Sequence, residues 1–581
     1  MGKRKKMASN ILKYKAMRSL GWKSLIIVLL MLPIISMSQI QDLKSDEEVM
    51  VIAPFNPTIS KAHKINFTPS SDTSHTHKLK IDYLTTPRLF ETNFSLEKLT
   101  AAKFIDRKRT KDAQNYVKAG FGMYTSPYVE IFVNNVMSTR SQVGLHIRHL
   151  STAGGIKEMA YSGSSLSSAE VWTKHIRRKQ STKVSVDYKR NQIHYYGFSP
   201  SDYPVELQST SNDFKDDINQ VYSHARLHLD MKGNFDKKTR DWAMDLSYKF
   251  FWDHFNSQEH LVDLKAYSDY PVSWLKSKEQ YIGVAFSTQT YNTKQSFTGN
   301  FPVIDSAANY FHGLYDINPY YSFDFESISV KIGAKLSLAL DTNAHVGVAP
   351  IIKLDIRLLG DNLKLYGLVD GGFYNNSISS LSSANHFISP FVPLKYTETK
   401  YKVQAGLKGH YLSFLDFHTY VETTTFENMP MFITDTLSQF QNSFTTIYDG
   451  GSNLSAGMEL LFKTDRWNVK FNGKYQSYTL DTSTRAWQKP EFLYELGVSY
   501  YVMENLKVTG LLIGQSKMYA LYQGEKMVDQ WMDFNLITDY HISKNLGLFL
   551  NVTNIFSNQY QIWYGYPVQG IGVLGGVHFS F

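Results

Sequence analysis

One pattern dominates the chain from residue 115 to its end. Apolar and polar residues alternate in segment after segment, each roughly 8–12 residues long. In 466–476, Trp467, Val469, Phe471, Gly473 and Tyr475 form one face, and Asn468, Lys470, Asn472, Lys474 and Gln476 the other. In 328–341, Ile328, Val330, Ile332, Ala334, Leu336, Leu338 and Leu340 oppose Ser329, Lys331, Gly333, Lys335, Ser337 and Asp341. Segment 242–252 repeats it, with Trp242, Met244, Leu246, Tyr248, Phe250 and Trp252 opposing Asp245, Ser247 and Lys249. So does 401–408, where Tyr401, Val403, Ala405 and Leu407 oppose Lys402, Gln404, Gly406 and Lys408. A period of two belongs to an extended strand, whose side chains point to opposite faces. Sheets of soluble proteins alternate as well, but their strands usually run to about 5–6 residues. Longer alternating strands, repeated through most of a 581-residue chain, predict an all-β fold: a transmembrane antiparallel β-barrel.

The connections carry a second signal. Leu359-Gly360-Asp361-Asn362, Lys463-Thr464-Asp465, Met503-Glu504-Asn505 and Ser543-Lys544-Asn545 are tight and polar. Long links lie between them, near 375–396, 427–452, 480–490, 515–526 and 555–568. Barrels of this kind have short periplasmic turns and long external loops. Both termini are then periplasmic and the strand count is even, about 22, with 18 or 20 also open and a further hairpin possible in 254–278. Tyr500, Tyr501 and Tyr540 stand at strand ends, and Trp563, Tyr564 and Tyr566 flank the last external link, where Tyr and Trp favour the wet–apolar boundary.

Composition agrees. Aromatic residues make up 14%, and the mean hydropathy of −0.29 excludes a multi-helix membrane protein. With no cysteine there is no disulfide, thiolate metal site or lipidated Cys. The formal charge of +9 is carried by the N-terminus: Lys3, Arg4, Lys5, Lys6, Lys13, Lys15, Arg18 and Lys23 precede residue 39 with no acid among them. The rest is nearly neutral, and nothing in it calls for nucleic acid.

Residues 1–38 read as a signal peptide, with the apolar run 25–35 between those basic residues and Ser36-Met37-Ser38. Met1, Met7 and Met17 are all possible starts, and an uncleaved anchor is the alternative. Residues 39–114 differ: Pro54, Pro57, Pro69 and Pro87 break them, and strand alternation is poor. They read as a short irregular periplasmic segment, a reduced plug or docking arm, before a barrel spanning 115–581. His75 and His77 in this polar stretch are more often solvated than metal-bound.

The last ten residues end on an alternating strand with Val573, Gly575, Val577, Phe579 and Phe581 on one face. An ordinary edge strand alternates too, but a final strand stopping at Phe resembles the C-terminal strand of bacterial outer-membrane β-barrels. That resemblance implies that Phe581 belongs to the signal read by the barrel-assembly machinery. Further residues narrow it. Asn551-Val552-Thr553-Asn554-Ile555-Phe556, Tyr560 and Gly565-Tyr566-Pro567 before a Gly-rich last strand resemble the end of a TonB-dependent receptor barrel. Glu47-Glu48-Val49-Met50-Val51-Ile52-Ala53 resembles that family's energy-coupling box. The resemblance implies 22 strands in a Gram-negative outer membrane and an energy-coupling or periplasmic partner. About 76 residues separate Gln39 from Tyr116, too few for the family's usual plug, and no Arg-Gly or Asp-Gly plug signature is found.

No nucleophile motif accompanies the histidines, among them His146, His149, His224 and His228, so no enzyme and no cofactor is expected. The expected function is passing or binding a polar solute at the cell surface. Lumen candidates are Lys331, Lys335, Asp341, Lys353, Asp355, Arg357, Lys402, Lys408, Glu459, Lys470 and Lys474, whose lysines hint at anionic cargo. The alternative is a non-transporting barrel that anchors a periplasmic or surface partner through residues 39–114.

Overall fold

The computed structural model describes residues 115–581 except 139, 203–214, 234–240, 275–278, 297–306, 342 and 439. The expected signal peptide at 1–38, the 39–114 segment and the expected coupling box Glu48–Ile52 lie outside the described residues.

Twenty-two strands form one closed antiparallel sheet. Each pairs with its neighbour in sequence, and the first, Tyr116–Gly122, pairs with the last, Gly572–Ser580. Closure satisfies every strand edge inside an apolar solvent, which open sheets cannot do. The alternation read from the sequence becomes two faces. Ile332, Leu336, Tyr401, Val403, Leu454, Tyr475, Val577 and Phe579 are exposed on the outside. Lys335, Ser337, Gln404, Ser455, Gln476, His578 and Ser580 are buried on the inside. An exterior of exposed aliphatic and aromatic side chains is stable only against lipid. Among the described residues no helix is long and apolar enough to cross a membrane.

The strands are unequal. Leu415–Thr434 and Phe444–Lys463 have 20 residues each, whereas Tyr116–Gly122 has seven and Leu546–Thr553 eight. The seam between first and last strands therefore holds by seven residue pairs, from Tyr116 opposite Ser580 to Gly122 opposite Leu574. At the same seam Phe581 donates its backbone N–H to Asn115 O, and its ring is exposed beside Phe579.

Two expectations change in detail. The link placed at 427–452 is only 435–443, because both long strands continue past a bulge at Asn428, whose φ is +54°. Above the membrane a strand can go on pairing without an apolar face, so alternation fades before the strand ends. The stretch 254–278 holds the strand Gln258–Pro271.

Candidate functional site: a loop cap over the lumen

The two ends of the barrel differ. Turns such as 326–327, 412–414, 464–466 and 504–505 close one end, where both ends of the barrel segment also lie. The long connections 153–163, 195–218, 376–395, 435–443, 481–491, 516–530 and 554–571 all emerge at the other. Strands about 4.8 Å apart and tilted by ~40° make a 22-strand barrel roughly 40 Å across. Wall side chains cannot fill that width.

The long connections fold inward. Connection 376–395 begins with a helix, Ile378–Ala384, whose Ser377 side chain accepts from Ser380 N at 3.2 Å as an N-cap. Ile378 and Leu381, one turn apart, are buried in an apolar cluster with Tyr195, Phe198, Ile388, Val392, Phe440, Phe444, Trp563 and Tyr566. Phe198 stacks on Phe440 at 4.4 Å and Phe387 on Tyr566 at 3.7 Å between ring centroids. Each aromatic pair adds about 0.5–1.5 kcal/mol beyond area burial.

Hydrogen bonds then lock the loops across the mouth. Connections 195–218 and 435–443 follow the fifth and fifteenth strands of 22, nearly half the circumference apart. Yet Asn442 Nδ2 donates to Tyr195 O at 2.6 Å. The Tyr566 hydroxyl, from a third connection, donates to Asn442 O. The Tyr195 hydroxyl donates to Ile388 O at 2.7 Å and that of Tyr196 to Pro567 O at 3.0 Å. Lys249 Nζ, on the wall, donates to Ser379 Oγ at 2.6 Å. Contacts between opposite loops must cross the opening, so these connections cap the lumen. Beside the cap, Asp253 accepts from Ser257 N at 2.7 Å and Gln220 Nε2 at 3.3 Å, and burial pushes its carboxyl up to about 7. A cavity of 130 Å³ remains between cap and wall, lined by Tyr124, Thr152, His194, Tyr196, His386 and Gln569 among others.

Sequence reasoning missed this cap. It placed Trp563 and Tyr566 at the membrane boundary, whereas both are buried among the loops. Tyr540 and Tyr500 do stand at the short-turn end, where Tyr500 packs on Trp467 at 4.3 Å. The only signal of the cap was the apolar content of the loops themselves, such as Phe387-Ile388 and Val392-Pro393-Leu394.

Below the cap, the candidate lumen residues on strands share the inner face of their strands, and four of the lysines there, Lys335, Lys353, Lys402 and Lys408, stand beside carboxylates. Lys335 Nζ is 2.7 Å from Asp370 Oδ1, and Lys402 Nζ is 2.8 Å from Glu422 Oε2. Asp355 takes Lys353 at 3.8 Å and Lys408 at 3.6 Å. Lys331 Nζ sits 3.3 Å above the Tyr320 ring. Glu459 meets His418 at 3.4 Å, and Asp341, in a turn, meets His345 at 3.7 Å. Arg357 lies opposite Lys364. Lys470 and Lys474 share the face of the buried Gln476 and Tyr478. Histidines follow suit: His146 is 3.0 Å from Glu130 and His228 2.8 Å from Asp245.

No family model matches the chain, and no curated protein matches it. Solved structures do. The ferripyoverdine receptor of the outer membrane of Pseudomonas aeruginosa, bound to ferripyoverdine, is 14% identical, with a TM-score of 0.61 over 82% of this chain and 72% of that one. The ferric-catecholate import receptor Fiu of Escherichia coli K12 is 12% identical, with a TM-score of 0.59 over 81% and 82%. The siderophore receptor PiuA of Acinetobacter baumannii is 10% identical, with a TM-score of 0.57 over 80% and 82%. With its closed sheet of 22 strands and its lipid-type exterior, this chain has the fold of the outer-membrane barrel of TonB-dependent receptors.

Proposed function

We propose that the protein is a surface receptor that binds a polar solute and admits it through the barrel, with the loop cap as its gate. The bridge at Asn442 carries this reading, because it joins loops from opposite walls across the mouth of the barrel. The 130 Å³ cavity beside it is smaller than the roughly 300–1,000 Å³ of ordinary ligand pockets, as expected of a closed gate. The solved barrels of the same fold are named as receptors for ferripyoverdine, ferric catecholate and siderophores, which supports a receptor role without naming this solute. Residues 48–52 would then engage an energy-coupling partner.

A second reading, a barrel that anchors a protein partner through residues 39–114, is favoured by the pairing of lumen lysines with carboxylates, which leaves little field to draw anions inward. Conductance in planar bilayers separates the two. The receptor reading expects a silent wild type and an open pore once Asn442→Ala is combined with Tyr566→Ala. An open wild type overturns the gate. If the cap variant and its combination with a 39–114 deletion are both silent, the anchor reading replaces it.

A further inference from the structure

The closing seam holds a cluster of ligand-type side chains near the short-turn end. Asp539 and His541 lie on the strand Trp531–His541, and His578 lies on the last strand. The strand Leu546–Thr553 runs between them, and there Gly547 is in register with His541 on one side and His578 on the other. A Cβ added at 547 would land on Nε2 and Cε1 of His578. Glycine therefore lets the His578 ring lie across the middle strand and reach the other two residues. His578 Nε2 is 3.1 Å, and His541 Nε2 3.4 Å, from the same oxygen, Asp539 Oδ1. Ligand atoms of all three residues lie within 4.8 Å of one another. Asp539 and His578 are 3% and 1% exposed, yet Asp539 Oδ2 and His578 Nδ1 have no hydrogen-bond partner among the described residues. Buried polar atoms are ordinarily satisfied, and leaving them unmade costs about 1–3 kcal/mol each.

We propose that Asp539, His541 and His578 bind a divalent transition metal of the zinc class. Two imidazoles and a carboxylate suit zinc, cobalt or nickel, whereas calcium and magnesium prefer all-oxygen shells. Lys118, opposite His578 on the first strand, brings a positive charge near Asp539 while its ammonium lies 4.0 Å over the Phe549 ring. That charge disfavours a cation held by electrostatics alone, so imidazole ligation supplies the affinity. The half-buried His541, at the end of its strand, gives the ion its entry. Three protein ligands leave a coordination position for water or solute. The bound ion joins two strands that do not pair directly.

The test uses the full-length protein, folded in detergent, stripped with a chelator and titrated with Co²⁺ under visible absorption. The expected result is one equivalent of Co²⁺ with ligand-field bands, displaced by Zn²⁺. His541→Gln and His578→Gln should each weaken binding at least about tenfold. Gly547→Ala keeps all three ligands but displaces the His578 ring, and should do the same. Heat-modifiable gel mobility shows that each variant is folded. Folded wild type without Co²⁺ bands overturns the site, as do unchanged bands in both His541→Gln and Gly547→Ala.

Discussion

Replacing Lys335 with Met probes whether inner-face lysines hold the wall together or serve cargo. Lys335 is 2% exposed, its Nζ is 2.7 Å from Asp370 Oδ1, and it also donates to Gly371 O at 2.8 Å. The strands carrying Lys335 and Asp370 do not pair. Ala344–Arg357 runs between them and places Ala349 opposite Lys335, small enough for the lysine to pass over it. Methionine keeps the length and removes the charge. Asp370, which also accepts from the Gly371 N–H at 2.8 Å, would then stay buried without the lysine's charge. Removing one partner of a buried pair costs about 3–5 kcal/mol, a loss of roughly a hundredfold or more in the folding equilibrium. Adding Asp370→Leu should recover most of the loss, since apolar replacement of both partners is often neutral. Lys400→Met, which breaks the exposed pair Lys400–Glu427, is the internal control and should leave the urea midpoint nearly unchanged. Urea titration, with the folded fraction read from heat-modifiable gel mobility, measures all four proteins. A cost below about 1 kcal/mol for Lys335→Met, or a double variant no more stable than the single, refutes the argument.

Val469→Arg, on the face of the exposed Trp467 and Tyr475, should cost about 2–4 kcal/mol in lipid, whereas Lys470→Arg on the other face should fold normally; equal yields would show that the faces are misassigned. Deleting Phe581 removes the exposed terminal aromatic, and surface labelling of intact cells should then fall sharply; undiminished labelling would detach Phe581 from assembly. Asp253 holds its proton more tightly when folded, so its contribution is greatest below 3.8, is lost as pH rises to about 7 and is flat above. Between those limits wild type should lose stability relative to Asp253→Asn by about 1.4 kcal/mol per pH unit, read by hydrogen exchange in 253–257; parallel profiles would remove Asp253 as the cause.

The wall was legible in the sequence because lipid imposes one simple rule on every strand: Val469 and Ile332 must be apolar, Lys470 and Lys335 need not be. The short turns were legible for a similar reason, since Gly360-Asp361-Asn362 can hardly be anything else. The cap was not, because its contacts join residues hundreds of positions apart with no period to betray them; Tyr195 meets Asn442, and Tyr196 meets Pro567. An aromatic near a strand end looks the same in sequence whether it stays at the boundary, like Tyr540, or folds inward, like Trp563. Charge pairing was hidden as well. Lys335 finds Asp370 only once the register of three strands is fixed.

The short seam also bears on how the molecule comes into being. Every other pairing in the wall joins strands that are consecutive in the chain, so each can form as a local hairpin. Joining Tyr116 to Ser580 instead ties the two ends of the barrel segment, with a loop-closure entropy of roughly 5 kcal/mol against seven residue pairs. The curved sheet therefore reaches nearly its full size before its edges meet. Closure is then expected to be the last and slowest step of assembly, leaving two unpaired edges of seven and nine residues until it happens.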